Sequence, residues 1–209
     1  MSQVNLVSFS GGRTSAYLVW LMEQKRKHEG WSVAYVFMDT GAEHPATYQF
    51  IRDIVKHWGI DLTCLRVKFN ETLGQGNSYQ VLKVHEIGPD LQPWKGMVKK
   101  YGNPSSSAPY CTSRMKTEPH DKWANSVYGK GNYITWLGIR ADEPRRLKDV
   151  PGIKFLAHIS DVEKPDVLSW WKTQPFDLAI DEHLGNCVFL HQEISKQTGL
   201  SNKRRTLPD

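Results

Sequence analysis

The first seventy residues alternate between short apolar runs and amphipathic segments, and this alternation limits the fold more than any other feature. Apolar runs predict strands at 4–10, 33–39 and 62–69. Between them, apolar residues at helical spacing predict helices at 14–28 and 47–58. Strands that alternate with helices form parallel sheets, because each helix carries the chain back across one face. The sequence therefore predicts an α/β fold, Rossmann-like, with helices on both faces of a parallel sheet.

The alternation is interrupted at about 70–110, where glycine, proline and serine are frequent. We expect an irregular insertion there, with a short helix or two, placed as a lid over the ligand-binding edge of the sheet. Regular elements then resume as a helix, a strand, an extended segment and two short helices, predicted at 112–128, 133–139, 155–159, 167–172 and 180–184. These elements predict a single domain over residues 1–200, followed by a polar, basic tail at 201–209.

Composition narrows the class of protein. A chain of 209 residues that is 39% hydrophobic and 23% charged can form one globular domain with a substantial core. No run approaches the roughly 18 apolar residues of a membrane span, and no signal pattern opens the chain, so we expect a cytoplasmic protein without a membrane partner. The net charge of +5 suits a polyanionic ligand without requiring nucleic acid. Three cysteines, Cys64, Cys111 and Cys187, argue against a disulfide framework.

Residues 10–15, Ser-Gly-Gly-Arg-Thr-Ser, connect the first predicted strand to the first predicted helix. Glycine lets a backbone come close to an anion, and a helix N-terminus presents unpaired N–H groups. Ser10 and Ser15 can each give a hydroxyl to a phosphate oxygen, and Arg13 adds positive charge. The spacing matches neither a Walker A loop nor a dinucleotide fingerprint. We interpret the turn as a phosphate-binding loop; the alternative is an ordinary turn in which Thr14 or Ser15 caps the helix.

Two further predicted strands end in charged residues. Residues 37–45, Phe-Met-Asp-Thr-Gly-Ala-Glu-His-Pro, include Asp39 and Glu43, which can accept hydrogen bonds from sugar hydroxyls or hold a metal. Residues 138–146, Gly-Ile-Arg-Ala-Asp-Glu-Pro-Arg-Arg, place three arginines beside two acids, as in an anion clamp. Ligands of open α/β sheets bind outside the carboxyl ends of the strands, where all three segments would lie. The alternatives are a simple chain turn in the first segment and a solvated charge cluster in the second.

In this order and spacing, the segments resemble the PP-loop ATP pyrophosphatases, and within them the phosphoadenosine phosphosulfate (PAPS) reductase family. The motif Ser-Gly-Gly-x-x-Ser is shared by the whole superfamily. More specific to this branch are Asp-Thr-Gly-x-Glu-x-Pro from Asp39, Cys111-Thr112 followed by Lys116, and Gly-Ile-Arg-x-Asp-Glu from Gly138. The segments at 166–171, 175–178 and 185–187 resemble those of family members found in phages and prophages.

The resemblance covers residues 4–190 and implies a five-stranded parallel sheet of the adenine nucleotide α-hydrolase type. It implies that an adenine nucleotide, ATP or PAPS, is contacted by residues in or beside the motifs: Ser8, Ser10, Gly11, Gly12, Arg13, Thr14, Ser15, Met38, Asp39, Thr40, Glu43, Cys111, Thr112, Gly138 and Arg140. Basic candidates for neutralising the developing charge in catalysis are Arg13, Lys116, Arg140, Arg145 and Arg146. Mg²⁺ would accompany the phosphates, with Asp39, Glu43 and Asp142 as candidate ligands.

Two departures from the family pattern shape the functional hypothesis. Thr14 stands where many ATP pyrophosphatases carry Asp. Sulfonucleotide reductases end in Glu-Cys-Gly-Leu-His, whose cysteine attacks sulfur, whereas residues 201–209 hold no cysteine. The leading hypothesis is therefore attack on the α-phosphorus of ATP, which yields an adenylated acceptor and pyrophosphate.

Two alternatives remain open. A sulfonucleotide reductase or sulfurtransferase, acting in sulfur metabolism on PAPS or adenylylsulfate, would use Cys111 or Cys187 as its thiol. A phage accessory protein without catalysis would bind the nucleotide and not turn it over.

Other cofactors and partners have less support in the sequence. Cys111 and Cys187 do not supply the three or four thiolates that an iron–sulfur cluster usually needs. His183, Cys187 and His191 have a spacing that would suit zinc on a helix, but an intervening glycine favours an inert core cysteine. The basic tail could contact nucleic acid, although no aromatic residues interleave with it. The acceptor is unknown, and a homodimer stays open.

Overall fold

The computed structural model describes residues 3–103 and 112–181. Its strands are β1 (Val4–Phe9), β2 (Val33–Met38), β3 (Leu62–Lys68), β4 (Ser78–Leu82), β5 (Tyr133–Leu137) and β6 (Ile153–Phe155). Its helices are α1 (Arg13–Glu29), α2 (Pro45–Trp58), α3 (Gln92–Tyr101), α4 (Glu118–Tyr128) and α5 (Lys164–Trp171). The predicted α/β class is confirmed, and the predicted strands and helices before residue 70 match the observed elements to within a few residues.

The strands form one sheet in the order β4-β3-β2-β1-β5-β6. Every pair of neighbours is parallel except β3 and β4, which are antiparallel. From β1, the chain first moves outward to β2 and β3, and later returns to place β5 on the other side of β1. The direction of winding therefore reverses between β1 and β5, which is the position where open α/β sheets bind ligands.

The predicted number of five strands is too low by one among the described residues, because the insertion at about 70–110 contributes β4 as well as α3. Its sequence, Ser-Tyr-Gln-Val-Leu, has one β-branched residue, so propensity alone gives little sign of a strand. Tertiary contacts stabilise it instead. Tyr79 packs against the core that α4 covers, and its hydroxyl lies 2.9 Å from the Ser126 hydroxyl.

Alternate side chains of the strands form separate cores on the two faces of the sheet. Val7 and Phe9 of β1 belong to a large cluster that includes buried residues of α1, α2 and α5. Leu6, which precedes Val7 and faces the other side of the sheet, belongs with Trp123 of α4 to a smaller cluster. The sequence prediction of helices on both faces is confirmed by this alternation.

The helix predicted at 112–128 is observed with an irregular start. Ser113–Thr117 forms a π-helical turn before α4 begins at Glu118. The Glu118 N–H bonds to the Ser113 carbonyl, five residues back, and Pro119 has no N–H to continue the usual ladder. The turn carries Lys116, one of the predicted catalytic residues.

Two predictions near the end of the chain meet different outcomes. The extended segment predicted at 155–159 is wrong in its position, because the strand is Ile153–Phe155 and Leu156–His158 is a 3₁₀ turn. The short helix at 180–184 and the tail at 201–209 lie largely or wholly outside the described residues. Within the part of the chain that the structure describes, no helix is long and apolar enough to cross a membrane.

Candidate functional site

A polar cleft of about 500 Å³ opens at the carboxyl ends of β1 and β5, where the winding reverses. Three predicted segments contribute to it: the loop after β1, the segment after β2 and the segment after β5. Its lining residues are Ser10, Gly12, Arg13, Thr14, Ser15, Glu43, Thr112, Lys116, Gly138, Arg140, Glu143, Arg146, Lys164, Val167, Leu168, Leu178 and Asp181. The expectation that these segments would converge follows from parallel strand ends meeting at one edge of a sheet.

The loop after β1 is closed by the Ser15 hydroxyl. That hydroxyl accepts a hydrogen bond from the Ser10 N–H at 3.2 Å, lies 2.8 Å from the Ser10 hydroxyl and donates to the Gly12 carbonyl at 2.9 Å. Ser15 is 4% exposed, so its main role is to hold the loop in shape, whereas Ser10 is exposed to the cleft. Gly12, not Thr14 or Ser15, is the N-cap of α1, and it provides no side-chain cap. Because Gly12 has no side chain, it leaves the first N–H groups of α1 uncapped. Uncapped N–H groups are what a helix start needs in order to bind an anion.

Two glycines allow the loop to pack as closely as it does. Gly11 has φ +82°, and a Cβ there would lie 2.6 Å from Cγ2 of Thr47. A Cβ on Gly138, at the end of β5, would lie 2.7 Å from the backbone Cα of Ser15. Because that neighbour is backbone, it cannot move aside as a flexible side chain can.

Replacing Gly138 should therefore displace the loop. We expect Gly138→Ala to lower the free energy of unfolding by about 1–3 kcal/mol, the usual range for overpacking, and to weaken binding of inorganic pyrophosphate more than tenfold. Denaturant unfolding and calorimetric titration would measure the two effects. The matched control is Gly88→Ala, because a Cβ there meets nothing within 4 Å. Equal behaviour of the two variants would contradict the close packing of loop and strand.

Arg140 connects the segment after β5 to the loop. Its Nη1 donates to the Thr14 hydroxyl at 3.0 Å, and its Nε and Nη2 donate to the two carboxylate oxygens of Asp142 at 2.7 and 3.2 Å. This hydrogen bonding lowers the pKa of Asp142 and keeps it ionised. Thr14, where many ATP pyrophosphatases carry Asp, is here an acceptor for the cation that faces the cleft.

Glu43 and Lys116 contribute a second pair of charged side chains to the cleft. Lys116 Nζ lies 3.4 Å from Oε1 of Glu43, which also accepts from the Thr40 hydroxyl at 3.2 Å. Glu43 is 8% exposed, whereas the Lys116 side chain is 38% exposed. A half-exposed ammonium beside a buried carboxylate can approach an anionic ligand.

Asp39, predicted as a nucleotide contact and magnesium ligand, is fully buried and does not line the cleft. Arg66 donates to its Oδ2 twice, at 2.6 and 3.2 Å. The Gly41 N–H and the Tyr48 hydroxyl donate to its Oδ1 at 2.9 and 3.1 Å. Burial and the Asp39 charge raise the pKa of Tyr48. With both oxygens engaged by protein donors, Asp39 organises the turn after β2.

The remaining predicted site residues divide between the cleft and its surroundings. Arg146 and Glu143 pair with each other at the cleft, whereas the neighbouring exposed Arg145 is not among the lining residues. Also outside the lining are Ser8, Gly11, Met38, Thr40 and Asp142. Among residues 3–103 and 112–181, no three acidic, histidine or cysteine side chains form a group that could hold a metal ion. Of the three predicted magnesium ligands, Glu43 alone lines the cleft.

The cysteines separate into one described residue and two that are not. Cys64 is fully buried, and burial raises its pKa to about 12, so it is an unreactive core thiol. Cys111 and Cys187, together with the zinc candidates His183 and His191, lie outside the described residues.

Part of the cleft lining was not predicted from the sequence. Residues of α5 and of the chain following it line the cleft, namely Lys164, Val167, Leu168, Leu178 and Asp181. Asp177, just outside the lining, forms an ion pair with Arg13. The similarity of 166–171 and 175–178 to phage-type proteins was the available signal, but no residue chemistry in it pointed to the loop.

Comparison with known proteins agrees with this fold and identifies the family. The family model described as the phosphoadenosine phosphosulfate reductase domain matches residues 4–175. This protein belongs to that family, as the sequence motifs predicted.

The similar proteins extend from phage to archaea. The uncharacterized nin region protein ORF290 of Escherichia phage lambda is 56% identical over 203 residues, which cover 96% of this chain and 70% of the relative. An uncharacterized protein of Methanocaldococcus jannaschii is 28% identical over 138 residues, 66% of this chain and 23% of that one. The crystal structure of phosphoadenylyl-sulfate (PAPS) reductase from Candida auris, a phosphate complex, matches with a TM-score of 0.51 and 15% identity. That match covers 92% of this chain and 78% of the other, and it supports the fold.

Proposed function

We propose that this protein binds ATP in the cleft and transfers its adenylyl group to an acceptor, with release of pyrophosphate. The observation that carries the proposal is the meeting of one glycine-rich helix start with two cations, Arg140 and Lys116, at the point where the winding of the sheet reverses. Phosphate groups are bound by helix N-termini and by guanidinium groups, and both are present on the same cleft.

In this proposal the loop at 10–15 holds the phosphates. The space beside the Gly12 backbone is open, because the nearest atom to a Cβ built there would be the Ser10 hydroxyl oxygen, at 3.9 Å. Phosphate groups can therefore approach the backbone at Gly12. The Ser10 hydroxyl, which lies 2.8 Å from the Ser15 hydroxyl, would rotate to donate to a phosphate oxygen, while Ser15 keeps the loop closed through the Gly12 carbonyl. A volume of about 500 Å³ lies within the range of small-molecule sites.

The chemical step needs positioning and charge stabilisation more than covalent catalysis. An oxygen or nitrogen of the acceptor attacks the α-phosphorus, the bond between that phosphorus and its bridging oxygen breaks, and pyrophosphate leaves with the electron pair. The proton of the acceptor passes to solvent. In the proposal Arg140 and Lys116, which line the cleft, stabilise the negative charge that develops on the phosphates.

Magnesium fits this site through Glu43. Mg²⁺ is commonly held by one or two carboxylates together with substrate phosphates, so a protein cage of three ligands is not required. Glu43 lines the cleft and has its Oε1 within 3.4 Å of Lys116, whereas Asp39 and Asp142 are occupied by arginines. When bound, the ion would neutralise part of the triphosphate charge.

The test is a measurement of ATP binding and of pyrophosphate release with Mg²⁺, using cell extract fractions of small metabolites, RNA and DNA as acceptors. We expect micromolar to millimolar ATP affinity and pyrophosphate release that depends on one fraction. Tight ATP binding with no release in any fraction would favour the accessory-protein alternative. Absence of ATP binding would overturn the proposal.

The sulfonucleotide alternative is favoured by one observation. Thr112 lines the cleft, and Cys111 precedes it directly in the sequence. In that case PAPS or adenylylsulfate would release sulfite in the presence of a dithiol reductant, and alkylation of cysteines would abolish the reaction. Adenylyl transfer would survive alkylation, because its proposed groups contain no thiol.

A further inference from the structure

Arg13 lies in the phosphate-binding loop but directs its side chain at another part of the protein. Its Nε and Nη2 donate to the two carboxylate oxygens of Asp177 at 2.7 and 3.0 Å, and Nη2 also donates to the Leu178 carbonyl at 2.5 Å. Three N–H groups of the guanidinium therefore donate to residues that lie 164 and 165 positions further along the chain. The Arg13 side chain is 17% exposed, which leaves it largely enclosed by these contacts.

The residues that Arg13 contacts belong to the cleft wall, which we define as residues 164–181. Val167, Leu168 and Leu178 form the apolar part of this wall, and Lys164 and Asp181 are its charged residues at the cleft. Leu178 is 3% exposed and follows Asp177 in the chain, so the Arg13–Asp177 pair directly adjoins a lining residue.

The backbone of the same residue holds the wall at a second point. Trp171 Nε1 donates to the Arg13 carbonyl at 3.0 Å. Trp171 is 1% exposed and packs against Phe50, Trp58 and Phe176, with ring centroids 4.9 to 6.0 Å apart. The wall is therefore attached to Arg13 at two points. The Arg13–Asp177 ion pair lies near one end of the wall, and the hydrogen bond from Trp171 to the Arg13 carbonyl lies near its middle.

We propose that Arg13 is a positioning residue that fixes the cleft wall to the phosphate-binding loop, instead of a ligand of the phosphates. The bidentate pair with Asp177 neutralises its charge and satisfies the fork of the guanidinium, and the Leu178 carbonyl takes a further N–H. Arg140 also has a bidentate carboxylate partner, Asp142, but both residues belong to the segment after β5, and its Nη1 donates to the Thr14 hydroxyl within the loop itself. Arg13 differs because its partners lie in the cleft wall.

The two roles of Arg13 predict opposite effects of Asp177→Ala on ATP affinity. If Arg13 bound phosphate and Asp177 competed for it, removing the carboxylate would release positive charge and tighten ATP binding. If Arg13 positions the wall, the same change loosens the wall, and we expect ATP to bind about tenfold more weakly. Arg13→Ala should weaken binding by a similar factor.

A double-mutant cycle provides the decisive measurement. The double variant, Arg13→Ala with Asp177→Ala, should bind ATP no more than twofold more weakly than either single variant. The reason is that each substitution alone already removes the same Arg13–Asp177 pair. An additive loss, or tighter binding by Asp177→Ala, would overturn the proposal. Glu29→Ala is the matched control, since it removes a carboxylate paired with Lys25 at 3.1 Å elsewhere on α1 and should leave ATP affinity unchanged.

The affinity measurement rests on the proposed function, so a second readout is independent of nucleotide. Trypsin cleavage after the exposed Lys172 should become at least fivefold faster in Asp177→Ala and in Arg13→Ala than in the wild type and in Glu29→Ala. If the wild type binds no ATP, the proposed function fails and this cleavage still decides the role of Arg13. Unchanged cleavage in both variants would overturn the positioning role.

Discussion

Asp39→Ala is expected to lower the free energy of unfolding by about 3–5 kcal/mol, the usual cost of removing one partner of a buried ion pair. The substitution leaves the Arg66 guanidinium, whose side chain is 18% exposed, without the Asp39 oxygen that accepts two of its hydrogen bonds. It also removes the acceptor for the Tyr48 hydroxyl and the Gly41 N–H, both buried. Asp90 pairs with Arg66 at 2.9 Å but is 42% exposed and compensates only in part.

Urea unfolding followed by tryptophan fluorescence would measure the loss. The control is Asp53→Ala, which removes an exposed carboxylate that accepts from Gln49 at 2.9 Å and should cost no more than about 0.5 kcal/mol. A loss below about 1 kcal/mol for Asp39→Ala would contradict the network.

Asp39→Asn separates the structural role from the predicted metal role. The amide retains one acceptor oxygen and removes the charge, so the free energy of unfolding should fall, but by less than in Asp39→Ala. Should Asp39 be a magnesium ligand, as the motif suggested, this variant would lose magnesium dependence of ATP binding. The geometry leads us to expect unchanged magnesium dependence, because both oxygens of Asp39 already accept protein hydrogen bonds.

The contrast between Asp39 and Arg140 indicates what the sequence could predict. Each follows a strand, and the rule that strand ends converge was sufficient to place both near one edge of the sheet. The rule does not state which side chains turn into the cleft. Asp39 turns inward because Arg66, 27 residues away on β3, lies beside it. No local sequence pattern around Asp39 predicts such a distant partner.

Long-range pairing also explains the other omissions. Arg13 was predicted as a phosphate ligand from its place in the loop, but Asp177, 164 residues away, is the group that its side chain contacts. The strand β4 was missed because its stability depends on its register against β3 and on Tyr79 meeting α4. Local periodicity and turn chemistry were sufficient for β1 to β3, α1 and α2, where the apolar residues repeat regularly.

Arg140→Ala is expected to reduce the rate of pyrophosphate release by about 10²–10³-fold, the usual effect of deleting one preorganised donor to developing charge. ATP affinity should change less, by about tenfold or below, because the loop at 10–15 remains. The fold should tolerate the change, since the Asp142 side chain is 28% exposed and can be hydrated once its partner is removed. Thermal unfolding would verify that stability is retained.

Arg145→Ala is the matched comparison, because the sequence predicted the same role for both arginines. Arg145 is exposed and lies outside the cleft lining, so its removal should change pyrophosphate release by less than twofold. Arg140→Lys should recover part of the rate, since it keeps a positive charge but lacks the fork that holds Asp142 and Thr14 together. Equal rates for Arg140→Ala and Arg145→Ala would show that charge stabilisation resides elsewhere in the cleft, with Lys116 as the next residue to replace.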